Sequence, residues 1–297
     1  MTTELDTLLT ALYVHIDDRL KTSRWRGRPP RLTDAELVTL AVAQAMLGFH
    51  CEARWLRRRR SSARFPYLPQ RRPAYNKRLR AALGLVKEAI RSLAADTDLW
   101  LDPVWIVDST PVECARSHQT VKRSDLAGWA NYGYCQSHSR FYWGLKLHLV
   151  CTPAGLPVTW PLADPKIDER QILAALIDNE PHLAAHRPGL LILADKGYIA
   201  AELDRFLSAR DISLLRPSYR NRGTPQPAEA LLKTVRQLIE SVNDTLKGQL
   251  DLEQHGGRTI EGVGVRVAQR IPAMTCAIWH NRTIGAPITR SLTAYDH

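Results

Sequence analysis

The 297-residue chain lacks any apolar run near the roughly 20 residues that a membrane span needs. It also lacks the positive start of a secretory signal, since Glu4 and Asp6 stand where such a signal carries lysine or arginine. Cysteine is sparse, five residues with no CxxC pair, which argues against a disulfide framework and for a reduced compartment. These absences predict a cytoplasmic protein. Acidic residues are in deficit: 30 Asp and Glu against 41 Lys and Arg give a net charge of +11 and a pI near 9.7. Such a surplus favours a polyanionic partner, because each neutralised phosphate releases a condensed counterion, and nucleic acid is the commonest such partner. The hydrophobic fraction of 44% supports a globular core, in one large domain with an appendage or in two ordinary ones.

The first hundred residues read as helices separated by short basic loops. Thr33 and Glu36 form a capping box that opens a helix carrying Leu37, Leu40, Ala41, Ala45 and Leu47. A second helix is expected from Glu52 to Arg60 and a third from Pro73 to Ala95. Basic side chains cluster here: Arg26 and Arg28 in an Arg-Gly-Arg-Pro segment, the run Arg57, Arg58, Arg59 and Arg60, and Lys77 and Arg78. In a chain this basic they are candidate DNA contacts, although the Arg26 segment reads equally as a stiff lead-in to the Thr33 helix. From Trp100 onward the pattern alternates between strand and helix. Strands are expected at Val104–Val107, Leu145–Thr152, Leu156–Leu162, Leu190–Ala194 and Ile212–Leu215, with helices at Asp168–Asn179, Ala200–Arg210, Pro227–Leu250 and Val263–Trp279.

Three acids draw attention. Val104–Val107 ends in Asp108 and Leu190–Ala194 ends in Asp195, both wholly apolar runs of the kind found in buried central strands. In open α/β sheets, sites gather beyond the carboxyl ends of strands. Alone, either Asp would be read as capping a strand or a turn. The third acid, Glu240, shares a polar helix face with Arg236, Asn243 and Lys247, beside the apolar stripe Val235, Leu238, Ile239, Val242 and Leu246; alone it would be a solvated residue paired with Arg236. Carboxylates drawn together repel unless a cation lies between them, and hard oxygen donors select Mg²⁺ or Mn²⁺. Two such ions can activate a water and stabilise the leaving oxygen in attack on a phosphodiester.

The motifs around these acids resemble those of the DDE transposases of bacterial insertion sequences, and most closely the nine-eighty-two family among them. The resemblance rests on Val107-Asp108-Ser109-Thr110-Pro111, on Ala194-Asp195-Lys196-Gly197-Tyr198, and on Arg236 and Lys247 framing Glu240 at the family's spacing. It extends through Gly128–Trp143 and the helical head, and so covers most of the chain. It implies an α/β, RNase H-like catalytic domain with a mixed sheet flanked by helices over residues 97–297, preceded by an all-α DNA-binding head over residues 1–96. Asp108, Asp195 and Glu240 would be both catalytic and metal ligands, for two Mg²⁺ or Mn²⁺ ions per site. Lys196, Arg236 and Lys247 would contact DNA. The implied reaction is hydrolysis at the terminal inverted repeats, then attack of the freed 3′-hydroxyl on target DNA. The partners would be double-stranded DNA (transposon ends and target) and a second copy of the chain in the DNA complex, and the protein would associate with the bacterial nucleoid when bound. The wider signature often has Tyr where this chain has Lys233, which puts any base-stacking role at that position in doubt.

Two other patterns compete. Cys114, His118, Cys135 and His138 have CxxxH and CxxH spacing, which is not the grouping of a zinc finger. His255, Arg258 and Tyr295 loosely resemble a recombinase that attacks DNA with tyrosine, but Gly256 and Gly257 suit a helix poorly, and that reading leaves the acids unexplained.

Overall fold

The computed structural model describes residues 2–20, 30–60, 72–135, 139–217 and 229–287, with the side chains of 2–4, 58–60, 72–73, 229–231 and 233–236 excepted. They fall into two compact units, Met1–Thr97 with Thr245–His297, and Asp98–Asp244.

The first unit begins with helices α1 (Thr2–Arg19), α2 (Asp34–Met46), α3 (Glu52–Arg60), α4 (Arg72–Ala81) and α5 (Leu83–Ala95). The capping box forms as expected: the Thr33 backbone N–H donates to Glu36 Oε2 at 2.6 Å, and the Glu36 N–H donates to Thr33 Oγ1 at 3.1 Å. Every residue from Leu37 to Ala45 is buried, so α2 is a central helix rather than an amphipathic one. The single helix expected from Pro73 to Ala95 is two, interrupted at Ala82 (φ −91°, ψ 11°). Gly84 weakens helix propensity by about 1 kcal/mol beside that break, and both Leu79 and Val86 still reach the core.

The second unit is built on a mixed sheet. Its elements are β1 (Val104–Ala115), α6 (His118–Lys122), β2 (Asn131–Cys135), β3 (Arg140–Cys151), β4 (Pro157–Thr159), β5 (Leu162–Ala163), α7 (Glu169–Asn179), α8 (Pro181–Ala185), β6 (Leu191–Leu193), α9 (Ala201–Ser208), β7 (Ser213–Leu215) and α10 (Glu229–Asp244). The strand order is β2-β3-β1-β6-β7, with β4 and β5 also paired to β3. Pairing is antiparallel around β3 and parallel for β1–β6 and β6–β7, the mixed sheet expected of an RNase H-like domain. On one face Trp105 and Val107 of β1, Val150 of β3 and Ile192 of β6 pack with Leu173, Leu176 and Ile177 of α7 and Leu203 and Leu207 of α9. The opposite face of β1 meets α10. The sheet therefore has a helix on each side.

The chain end then returns to the first unit. After α10 comes a π-helical turn, Thr245–Gln249, then α11 (Ile260–Thr283), whose residues from Gly262 to Asn281 are nearly all buried. It packs on α1, α2, α4 and α5 and is the central helix of the all-α unit. Gln269 of α11 reaches Gln44 and the Ala41 carbonyl, and Arg266 pairs with the buried Glu52. The boundary expected at residue 96 falls beside the junction at 97/98, but residues from Thr245 onward belong with the helical unit rather than with the sheet. The reason is burial: a 24-residue helix apolar almost all round needs helices to enclose it.

Candidate active site

Asp108 does not end its strand. β1 runs seven residues further to Ala115 because the antiparallel ladder with β3 continues past the point where β6 stops. What ends near Asp108 is the parallel pairing: Ile106 lies opposite Leu193. Asp108 lies two residues past Ile106 on the face that meets Asn243 of α10, and Asp195 lies two residues past Leu193, close enough for its charge to act on Asp108. Asp195 lies just beyond β6, exposed, and its side chain accepts from the Gly197 N–H at 2.8 Å to cap a 3-10 turn, Lys196–Tyr198. Asp195 is thus also a turn cap.

Asp108 is set into the sheet, and its surroundings oppose its charge. Burial, with repulsion from Asp195 and Glu169, pushes its carboxyl up to about 6, against hydrogen bonds from the Ser109 backbone and the Asn243 amide. Asn243, on α10, donates Nδ2–H to Asp108 Oδ2 at 2.7 Å. It stands one helical turn beyond Glu240, which is exposed on the same helix.

Under the sheet lies a second charged group that the sequence reading passed over. Glu169, the first residue of α7, accepts from Ser109 Oγ and from Lys146 Nζ, both at 2.6 Å on Oε1. Burial raises its pKa, but those two bonds and the Lys146 charge outweigh it, and the net shift is downward. Its other oxygen faces Gly197: a Cβ there would sit 2.9 Å from Glu169 Oε2 and 3.0 Å from Asp195 Oδ1. A side chain at this position would push one or both carboxylate ends aside. Glu169 therefore braces the Asp108 neighbourhood through Ser109 and comes close to Gly197, two residues after Asp195. His148 is buried beside this pair with neither ring nitrogen hydrogen-bonded, and burial pushes its pKa down to about 4.

The donor chemistry of Asp108 and Asp195 fits a hard divalent cation: oxygen ligands, like-charge repulsion, and a carboxyl whose charge burial resists. The expected trio is not assembled. Among the described residues no group of three or more His, Cys, Asp or Glu side chains stands close enough to hold a metal, and the α10 side chain bonded to Asp108 is Asn243, not Glu240. The same finding weighs against zinc at Cys114, His118 and Cys135. Cys114 Sγ instead donates to the Val112 carbonyl, Cys135 is buried, and His138 lies outside the described residues.

The expected DNA contacts sort as follows. Arg57, Lys77 and Lys196 are exposed and Lys247 is partly so. The Arg78 guanidinium is held by Asp34 at 2.7 Å and by the Leu32 carbonyl, so it joins α4 to the start of α2. Arg26 and Arg28, and the side chains of Arg58, Arg59, Arg60 and Arg236, lie outside the described residues. The His255–Arg258 pattern sits in a loop, where His255 Nδ1 accepts from the Gly257 N–H at 3.0 Å. No helix among the described residues is long and apolar enough to cross a membrane.

The second unit is a mixed sheet with Asp108 and Asp195 near the end of its parallel pairing, followed by the long helix α10. Residues 101–260 match the family model described as Transposase DDE domain. This is more than half of the chain, and the protein belongs to that family: it is a DDE transposase, of the class that cleaves DNA and transfers strands. No curated protein matches. Two solved structures are similar at 12% identity. One is a piggyBac transposase synaptic complex with hairpin DNA, with a TM-score of 0.41 over 98% of this chain and 76% of that one. The other is a Mos1 transposase paired-end complex with left transposon end, with a TM-score of 0.25 over 89% and 81%.

Proposed function

We propose that this transposase acts on the ends of an insertion sequence of the nine-eighty-two family, with Asp108, Asp195 and Glu240 as its catalytic acids and as ligands for Mg²⁺ or Mn²⁺. What supports the reading is that Asp108 and Asp195 both follow the last pair of the parallel β1–β6 ladder by two residues, with Asp108 sunk where burial and the Asp195 charge resist its own. A bound divalent ion would supply the charge that lets a water, and later a DNA 3′-hydroxyl, attack phosphorus. Asn243 orients the Asp108 carboxylate through Oδ2. Lys146 neutralises Glu169, so the sheet bears less uncompensated negative charge beneath the pair. Glu240 joins the pair when α10 settles on bound DNA, a step that the excess of basic side chains favours. Lys196, Arg236 and Lys247 contact the DNA backbone, and Arg57 and Lys77 of the helical unit hold the terminal inverted repeats. Joining two ends calls for at least two copies of the chain.

The test is incubation of the protein with DNA bearing the element's own ends and a target plasmid. The expected outcome is Mg²⁺- or Mn²⁺-dependent nicking and joined products, abolished in EDTA and in Asp108→Ala, Asp195→Ala and Glu240→Ala. No DNA should remain bound to protein after denaturation. Undiminished joining by Glu240→Ala would remove Glu240 from the site.

A further inference from the structure

All four exposed aromatic side chains of the described residues lie in one stretch: Trp129 (58% exposed), Tyr132 (50%), Tyr134 (49%) and Phe141 (76%). Strand alternation puts Tyr132 and Tyr134 on the same side of β2. Tyr134 is directly opposite Phe141 on β3, and the two rings stand 5.0 Å apart, tilted by 58°. The other side of this ribbon is closed. At Gly133 a Cβ would be 2.7 Å from the Tyr142 ring and from Pro165, so that side packs inward and leaves no room for a side chain. The outward rings are thus held by their strands without being covered.

The place of the ribbon matters. β1 passes Asp108 and continues to Ala115, where it pairs with Trp143 of β3. Seven residues of strand span roughly 23 Å, so the ribbon projects beyond the same end of the sheet at which Asp108 and Asp195 sit. The chain around it is basic: Arg116, Lys122, Arg123 and Arg140 stand against Glu113 and Asp125 between residues 113 and 141. All four of those bases are exposed.

Open aromatic faces on a segment with surplus positive charge, even with Arg116 and Arg140 both near Glu113, fit a ligand with flat rings and a negative backbone. An unpaired DNA strand has both, because any base presents a π-face once it leaves the duplex. An intact duplex hides those faces except at its ends. A second copy of this chain, at +11, would bring like charge to the same surface. We propose that the exposed rings of Trp129, Tyr132, Tyr134 and Phe141 form a stacking platform for unpaired bases of a DNA strand running out from the catalytic site. The proposal rests on the reading of that site as one that opens DNA, but its test reads binding alone.

The experiment measures fluorescence anisotropy of the full-length protein with a labelled oligothymidine and with a duplex of the same length. Tyr134→Ala/Phe141→Ala should weaken binding of the single strand about tenfold, the loss of one or two stacked bases, with duplex binding changed less than about twofold. Tyr134→Trp/Phe141→Trp should restore it, and both proteins should keep the wild-type thermal midpoint, since the rings are exposed. Asp108→Asn should bind the single strand as the wild type does, so a loss of cleavage and a loss of stacking are told apart. Equal weakening on both DNAs, no weakening, or no single-strand binding by the wild type would overturn the proposal. So would light scattering that shows the alanine variant losing a dimer while its single-strand binding is unchanged.

Discussion

Asp108 and Asn243 are the pair on which the site turns at the scale of single residues. An amide that donates to a carboxylate withdraws charge without competing for a cation, whereas a third acid at that place would add repulsion. Asn243→Ala removes a hydrogen bond to a charged acceptor, worth about 1.5–3 kcal/mol. The turnover rate of cleavage should then fall roughly 10- to 100-fold, with DNA affinity unchanged in a gel-shift titration. His148 makes a different forecast. Burial holds its folded-state pKa near 4, while in the unfolded chain the ring titrates near its ordinary value of about 6.5. Above about 6.5 the ring is neutral in both states. Below it the unfolded chain takes up a proton that the folded protein refuses, so stability falls with pH down to about 4. Urea midpoints should decline over that window, and His148→Leu should flatten the decline.

At the scale of elements, much was legible because local chemistry decided it. The Thr33–Glu36 box opened α2, the apolar run Leu191–Leu193 became β6, and Asp168 caps α7. What escaped the sequence was set by pairing at a distance. The extension of β1 to Ala115 depends on β3, and β2 exists only against β3; neither carries a strong pattern of its own. The Glu169–Lys146–Ser109 network joins three elements far apart in sequence, and no local pattern announces it. The largest difference is α11. Its apolar character was plain, but not which unit it serves. One consequence is that residues 1–96 alone lack their central helix. Expressed by themselves they should show weak, non-cooperative thermal unfolding, whereas the same residues joined by a short linker to 245–297 should melt cooperatively by circular dichroism. Cooperative melting of 1–96 alone would contradict the assignment of α11 to that core.

Over the whole molecule, charge and fold point the same way. A chain with a surplus of eleven positive charges carries its most resisted negative charge at Asp108, beside Asp195, in a domain of the DDE transposase family. Acids held together within a basic protein are an unfavourable arrangement unless a cation and a polyanion complete it. The measurement that tests this most directly is a titration of Mn²⁺ into the full-length protein, followed by the loss of the free-ion paramagnetic resonance signal. The account predicts saturable uptake by the wild type that is lost in both Asp108→Ala and Asp195→Ala. Uptake by either variant equal to that of the wild type would contradict it.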